Sequence, residues 1–291
     1  TCVCCKLMER VVSQQMYRYF TDNHILHHEQ HGFVKGRSTC TNLLESVNDW
    51  TLSLRFHRGV TVAYLDFSKA FDTVSHEKLF HRLKSYGIAG NLLSWLQNLF
   101  SSRSHRTRVG TSLSAIADLL SGVIQGSSIG PLMFLAFINE LIELMKRHGV
   151  TIKLFADDSK LYAEIVDVSD VRMLQAALDQ LAGWAATWQL NISIDKCCVL
   201  NIGKIPSNVT AIANYSIDGH SLTLVNSCRD LGIIVSHDMS PRLHINAMVL
   251  RAQQRANVIL RCFISRDPSL LIRAFLVSDL CWSLIQWYGR L

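Results

Sequence analysis

The chain has 291 residues, 49% hydrophobic and 18% charged, with 29 Lys and Arg against 23 Asp and Glu for a formal charge of +6. So much apolar surface at so low a net charge excludes a disordered chain, and the length excludes a disulfide miniprotein. One large domain or two subdomains with a substantial core are allowed, and +6 permits a nucleic-acid partner without demanding one, because the charge can be scattered.

In chain order, Lys6 to Phe20 reads as a helix, with Met8, Val12, Met16 and Phe20 recurring every four residues. His24 to Arg37 is polar and glycine-punctuated, a loop or hairpin. Ser38 or Thr39 can cap a second helix that carries Leu43, Val47, Trp50 and Leu54 on one face. Val60 to Phe67 is a compact apolar run, a buried strand that ends on Asp66. Glu77 to Phe100 is helical with a break near Gly87 and Gly90, and Arg103 to Val109 reads as a strand. Gly122 to Gly130 is a Gly/Ser turn, followed by an apolar helix over Leu132 to Met145. Thr151 to Tyr162 reverses at Ala156-Asp157-Asp158 in a hairpin pattern. Val171 to Trp188 is helical, with Trp184 and Trp188 read as core. Short strands are expected near Cys198–Ile202, Tyr215–Ile217 and Leu231–Val235. Ser240-Pro241 opens a long helix with proline in its first turn and an apolar stripe of Ile245, Val249, Ala252, Ala256 and Ile259. The class is α+β, with helices around a small antiparallel sheet.

The ends and the cysteines bear on context. The chain starts Thr1-Cys2-Val3 and finishes in an aromatic stretch with Trp282, Trp287 and Tyr288, which reads as a processed product or a fragment. No signal peptide is visible. The apolar run Pro131 to Ile138 is interrupted at Asn139, Glu140 and Glu143, too soon to span a membrane. Nine cysteines without regular spacing read as buried reduced thiols of a protein in the nucleus or cytoplasm, not a secreted one.

The chemistry concentrates in carboxylates. Val62-Ala63-Tyr64-Leu65-Asp66-Phe67 ends an apolar strand on a charge, and Leu154-Phe155-Ala156-Asp157-Asp158 sets two acids at a hairpin tip. A carboxylate beside a buried strand costs several kcal/mol unless it is compensated. Three such groups can pair with Lys or Arg, or share divalent cations of the magnesium type, which favour hard oxygen ligands. Two ions about 3.5–4 Å apart stabilise the attacking and leaving oxygens of a phosphoryl displacement. An Asp-Asp polar turn remains the plain alternative.

Three blocks, in this order, resemble motifs of reverse transcriptases: Tyr64-Leu65-Asp66-Phe67-Ser68-Lys69-Ala70-Phe71-Asp72, then Gly122-Val123-Ile124-Gln125-Gly126-Ser127-Ser128-Ile129-Gly130-Pro131, then Phe155-Ala156-Asp157-Asp158. The likeness is to the non-LTR, LINE-type retrotransposon family with a jockey-like character. Further matches are Glu29-Gln30-His31-Gly32-Phe33-Val34-Lys35-Gly36-Arg37-Ser38 (fingers motif), Trp188-Gln189-Leu190-Asn191 with Asp195-Lys196 (palm helix), and Arg229-Asp230-Leu231-Gly232-Ile233 (primer-grip strand), so that residues 3 to 265 are covered.

The resemblance implies a right hand: partial fingers over 1–59, palm over 60–239 with a fingers-like insertion at about 88–120, and a partial thumb over 240–291. It implies RNA-directed DNA synthesis from dNTPs on an RNA template and a DNA primer, with two Mg²⁺ ions (Mn²⁺ as substitute) held by Asp66, Asp157 and Asp158 and the carbonyl of Phe67. Phe71 matches an aromatic gate that excludes a 2′-hydroxyl; ordinary core packing is its alternative. Asp72 has no metal role and is expected to fix local structure. Gln125 and Gly126 match the turn that packs against the incoming nucleotide, with Ile124 where the family carries proline. Lys35 and Arg37 match basic positions for the triphosphate. Lys196 resembles the lysine that protonates pyrophosphate, against the alternative of a solvated lysine. The polypeptide is expected to belong to a longer retrotransposon polyprotein. A decayed relic that only binds nucleic acid, or an RNA polymerase with a related palm, are the competing functions.

Two basic surfaces complete the reading. Arg103, Arg106 and Arg108 with His105 form a basic strand, Arg106 and Arg108 on one face, suited to phosphates or to a plain solvated edge. His27, His28 and His31 have no ligand spacing and read as surface or local hydrogen-bonding groups. Residues 240–291 hold Arg242, Arg251, Arg255, Arg261, Arg266, Arg273 and Arg290 against Asp267 and Asp279, so most of the excess charge lies there, with Arg251 and Arg255 as nucleic-acid contacts.

Overall fold

The computed structural model describes residues 3–265 and 267–277. Arg266, Asp279, Arg290, Cys2, Trp282, Trp287 and Tyr288 lie outside the described residues. The chain divides into two compact units, 1–226 and 227–291.

The first unit runs α1 (Val3–Asp22), α2 (Thr39–Arg55), β1 (Gly59–Leu65), α3 (His76–Ser85), α4 (Gly90–Phe100), β2 (Ser104–His105), β3 (Arg108–Val109), β4 (Ser112–Leu113), β5 (Ala117–Asp118), α5 (Gly130–Ile138), α6 (Glu140–Arg147), β6 (Thr151–Phe155), β7 (Asp158–Ile165), α7 (Val168–Trp188), β8 (Cys198–Ile202), α8 (Ser207–Thr210), β9 (Ser216–Ile217), β10 (His220–Ser221) and β11 (Thr223–Val225). Its main sheet has the order β11-β8-β1-β7-β6. β1 is central because both of its faces are apolar: all seven residues are buried. Thr61, Ala63 and Leu65 alternate with Val60, Val62 and Tyr64, as strand geometry requires. Ala63 and Leu65 join the large core with Leu161, Ala163 and the helices α3 to α7. The other face is closed by α2, whose Trp50 is fully buried and meets Tyr162 of β7 edge-on at 5.7 Å.

Local signals account for most boundaries. Ser38 caps α2: its hydroxyl accepts from the Thr41 N–H at 3.2 Å while the Thr41 hydroxyl accepts from the Ser38 N–H at 2.9 Å. Asp167 and Asp170 cap α7 in the same way. The α3–α4 break falls over Gly87 and Gly90, both at positive φ. Arg82 of α3 pairs with Glu140 of α6 and lies 4.2 Å over the Trp188 ring of α7. Trp184 and Trp188 stack at 6.1 Å, packed on the core as expected.

The structure departs from the expectations in several places. The sheet is mixed rather than purely antiparallel, because β11 adds to β8 in parallel; three residues leave too short a pattern to see in sequence. The apolar helix divides at Asn139, whose side chain donates to the Ile25 carbonyl at 2.7 Å and accepts from the His27 N–H at 3.2 Å. The expected strand Arg103–Val109 is instead β2 and β3, which pair with β5 and β4 respectively. Arg106 lies in neither, so it shares no strand face with Arg108. Of the described cysteines only Cys197 is buried; Cys4, Cys5, Cys40 and Cys262 are exposed on helices. His31 is buried, and its Nδ1 lies 2.9 Å from the Thr41 hydroxyl.

The second unit contains β12 (Ser227–Asp230), β13 (Ile233–Ser236), α9 (Arg242–Cys262) and α10 (Pro268–Val277). Leu231 and Gly232, at φ 45 and 94, make a hairpin turn between β12 and β13, where the sequence suggested the start of a strand. Pro241 is the N-cap residue of α9 rather than a residue of its first turn. Of the expected stripe, Ile245 and Val249 are 45% and 52% exposed, and Ala252, Ala256 and Ile259 are half-buried. The buried residue is His244, whose Nδ1 accepts the Ile234 N–H at 3.3 Å.

Candidate active site

The site forms where β1 ends beside the β6–β7 hairpin. β1 and β7 pair antiparallel to the last residue, with Leu65 opposite Ser159, so Asp66 emerges next to the two-residue turn Ala156-Asp157. Burial above all, with the charge of Asp66 adding to it, pushes the Asp157 carboxyl above the usual carboxylate range. Asp158 opens β7, paired with Phe155, and is exposed.

A third segment arrives through backbone pairing. Ser68 N–H donates to the Asn191 carbonyl at 2.7 Å, and Ser193 N–H donates to the Asp66 carbonyl at 2.8 Å. Phe67 bridges Ile192 between them. This zipper ends in a 3₁₀ turn, Ile194–Lys196, which sets the Lys196 ammonium 3.3 Å from Asp66 Oδ1. Cys197 Sγ accepts the Asp66 N–H at 3.5 Å, and burial pushes that thiol up, away from reactivity.

The turn at Gly122–Gly130 docks on the segment after Phe71. Val123 N–H donates to the Phe71 carbonyl at 2.8 Å, and Ser121 hydroxyl donates to the Asp72 carbonyl at 2.9 Å. Gln125 donates from Nε2 to Asp72 Oδ1 at 2.8 Å, so Asp72 does fix local structure. A Cβ on Gly122 would fall 2.7 Å from the Asp72 carbonyl oxygen, so no larger residue fits there. Gly126 stands at φ 74 with open space around it. The Phe71 ring stacks on Phe134 at 4.1 Å and meets Phe33 edge-on at 5.9 Å. Beside this turn opens a cleft of about 1130 Å³, lined by Lys69, Asp72, His76, Arg103, His105 and Gln125 among others.

The remaining expected residues are less gathered. Lys35 is exposed, its N–H donating to the Tyr17 hydroxyl at 2.9 Å. Arg37 is engaged with the His28 carbonyl, with His31 Nε2 at 3.1 Å and with Glu45 at 3.8 Å. Arg108 donates to the Gly110 carbonyl, Arg103 to that of Leu99, and both lie in the β2–β5 region with Arg106. Arg251 and Arg255 lie one turn apart on α9, exposed, in the second unit.

Among the described residues no three His, Cys, Asp or Glu side chains are gathered into a metal cage. Magnesium needs no such cage: it is usually bound by one or two carboxylates and completes its shell with water and phosphate oxygens. Asp66 and Asp157 make a like-charged, partly desolvated pair, and the Lys196 ammonium lies 3.3 Å from Asp66. That donor set fits a hard divalent cation.

The reverse transcriptase (RNA-dependent DNA polymerase) family model matches residues 1–235. A probable RNA-directed DNA polymerase from transposon BS of Drosophila melanogaster is 28% identical over 92% of this chain and 30% of its own length. The RNA-directed DNA polymerase from mobile element jockey of Drosophila funebris is 23% identical over 98% of this chain and 32% of its length. The chain thus spans about a third of the length of the curated relatives it matches. Among solved structures, apo telomerase of Candida tropicalis, truncated from its C-terminal domain, superposes with a TM-score of 0.56 at 10% identity, covering 79% of this chain and 44% of that one, which makes the fold a right-hand polymerase. Among the described residues no helix is long and apolar enough to cross a membrane. With its ordered motifs, its palm-like sheet and a family match over most of its length, this chain belongs to the reverse transcriptase family.

Proposed function

We propose that this chain is the polymerase domain of a retrotransposon protein and adds dNTPs to a primer 3′-hydroxyl along an RNA template. The observation that carries the reading is the meeting of Asp66, Asp157 and Lys196 at one end of the central sheet. Asp66 and Asp157, with Asp158 and the Phe67 carbonyl beside them, would hold two Mg²⁺ ions, with Mn²⁺ as a substitute. When bound, such ions supply charge stabilisation at the attacking and leaving oxygens of an in-line displacement.

The protein's own work is placement and electrostatics. The primer 3′-hydroxyl gives up its proton to solvent water as its oxygen forms a bond to the α-phosphorus, the bond from that phosphorus to the bridging oxygen breaks, and pyrophosphate leaves. Lys196 gives a proton to that leaving group. Phe71 sits under the sugar and bars a 2′-hydroxyl, Gln125 and Gly126 line the nucleotide's approach, and Lys35 and Arg37 hold the triphosphate. Arg103, Arg106 and Arg108, and Arg251 and Arg255 on α9, contact nucleic-acid phosphates. Residues 1–59 serve as partial fingers, 60–239 as palm with an insertion at about 88–120, and 240–291 as partial thumb. The reaction takes place in the nucleus or cytoplasm, within a longer polyprotein.

The test is extension of oligo(dT) on poly(rA) by the full chain. Extension should require Mg²⁺ or Mn²⁺ and vanish in Asp157→Asn; extension that survives the substitution removes the assignment.

A further inference from the structure

The turn that carries Asp157 is held from outside its own hairpin. Ala156, the residue before it, stands at φ 58, a left-handed conformation that costs a non-glycine residue about 1–2 kcal/mol. Such a conformation persists only where its surroundings over-determine it. Here one side chain does so. Gln30 Oε1 accepts the Ala156 N–H at 2.9 Å and also the Gly32 N–H at 2.7 Å, while its Nε2 donates to the Ala156 carbonyl at 3.3 Å. Gln30 is 2% exposed, so water cannot replace these bonds. Gly32 closes the same joint: a Cβ there would lie 2.1 Å from the Ala156 nitrogen. Behind the tip, the Leu154 N–H donates to the Glu29 carbonyl of the same loop at 3.0 Å, and the Leu154 carbonyl accepts from the His31 N–H at 2.9 Å and from Asn42 Nδ2 of α2 at 3.0 Å.

We propose that Gln30 is a positioning residue of the polymerase site: its amide grips both backbone polar groups of Ala156 and so sets where the Asp157 carboxylate stands relative to Asp66. Gln30 touches no substrate; it acts through the turn. The loop that carries Lys35 and Arg37 is thereby tied to the tip that carries Asp157. The inference rests on the proposed polymerase reading of Asp66 and Asp157.

The test uses the full chain with Gln30→Met, which keeps length and bulk but loses both polar groups, and Gln30→Asn, which is too short to reach both N–H groups. Asn42→Ala, which loosens the hairpin behind its tip, is the control. Three quantities are read: amide exchange at residues 155–158, Mn²⁺ affinity by water-proton relaxation without primer or nucleotide, and kcat with KM for primer–template. In Gln30→Met the Ala156 amide should exchange at least about tenfold faster, and Mn²⁺ should bind about tenfold more weakly, as for other residues that orient a ligand. The value of kcat should fall while KM for primer–template stays within about twofold, as expected for an interaction that matters only at the reacting centre. Gln30→Asn should show the same changes, smaller, and Asn42→Ala should leave the Ala156 amide as in the wild type. A folded Gln30→Met whose tip exchange and Mn²⁺ affinity match the wild type overturns the proposal. If it fails to fold, Gln30→Asn decides by the same readings; if neither folds, Gln30 is a residue of general stability and the positioning role falls. A wild-type chain that extends no primer sinks the polymerase reading, while the exchange result still speaks for or against the grip.

Discussion

Replacing Phe71 by valine separates the ring's packing from its proposed role as a gate. The ring lies flat on Phe134, which is fully buried, at 4.1 Å, and presents an edge contact at 5.9 Å to Phe33, which is 54% exposed. As packing, each aromatic contact is worth about 0.5–1.5 kcal/mol beyond its buried area. With the lost volume, Phe71→Val should cost roughly 2–3 kcal/mol of stability, less than the ~3–5 kcal/mol of a fully buried Phe→Ala because the ring is only half-buried. Under the proposed gate role the ring would exclude one hydroxyl, a discrimination of about 1–3 kcal/mol, or roughly 10–200-fold in kcat/KM. The assay is single-nucleotide insertion opposite template C, comparing dGTP with GTP in Mg²⁺, alongside thermal unfolding. The dGTP/GTP ratio of kcat/KM should fall by about 10–200-fold, mainly through faster GTP use. A ratio that stays put while stability drops would mean that the ring is core and nothing more.

Three further outcomes follow from the same geometry. The Asp157 carboxyl is raised by burial and by Asp66, so its protonated form suits the folded chain; that stability is present below its ordinary value of 3.8 and lost as pH rises through the folded pKa. Asp157→Asn should therefore raise the unfolding temperature of the metal-free chain at pH 7 while abolishing extension, with the gain shrinking toward zero near pH ~4; no gain at pH ~7 would show that the carboxylate is not under strain there. Lys196→Met should lower kcat by about 10²-fold or more with KM for dNTP little changed, and Lys196→Arg should not rescue it; recovery by arginine would make the role one of charge alone. Burial, and then the charges of Arg251 and Arg229, hold the His244 imidazole below its ordinary value of 6.5, so the neutral ring's bond to Ile234 is kept above that value and lost as pH falls through the folded one. Amide exchange at Ile234, corrected for the intrinsic effect of pH, should accelerate on acidification in the wild type and show no such dependence in His244→Phe.

Much of the local architecture was legible because its causes are local. The Ser38 cap, the break over Gly87 and Gly90, the buried run of β1 and the reversal at Ala156-Asp157 each depend on residues within one or two turns of one another. The weaker readings failed for the converse reason. β2 and β3 are two residues each and are defined by partners downstream, so a basic alternating run could not reveal them. The α9 stripe looked like a core face, yet periodicity says nothing about what will cover it, and two of its five residues are exposed. Gln30 lies in a motif whose chemistry is read from its basic residues, and a polar residue in a loop gives no sign that its amide will be buried.

The sequence alone determined which chemistries were available: acids at the end of a strand and at a hairpin tip, a ring five residues on, a glycine turn and a lysine after a helix, in an order that marks the family. Only the tertiary structure decided which of them meet. β1–β7 pairing to Leu65 and Ser159 brings Asp66 beside Asp157, and the pairing of Ser68 and Asp66 with residues 191–193 delivers Lys196. Hydrogen-bond register between distant segments has no sequence period of its own. It emerges when the burial of β1 on both faces forces its neighbours into place, and the site inherits its geometry from that constraint.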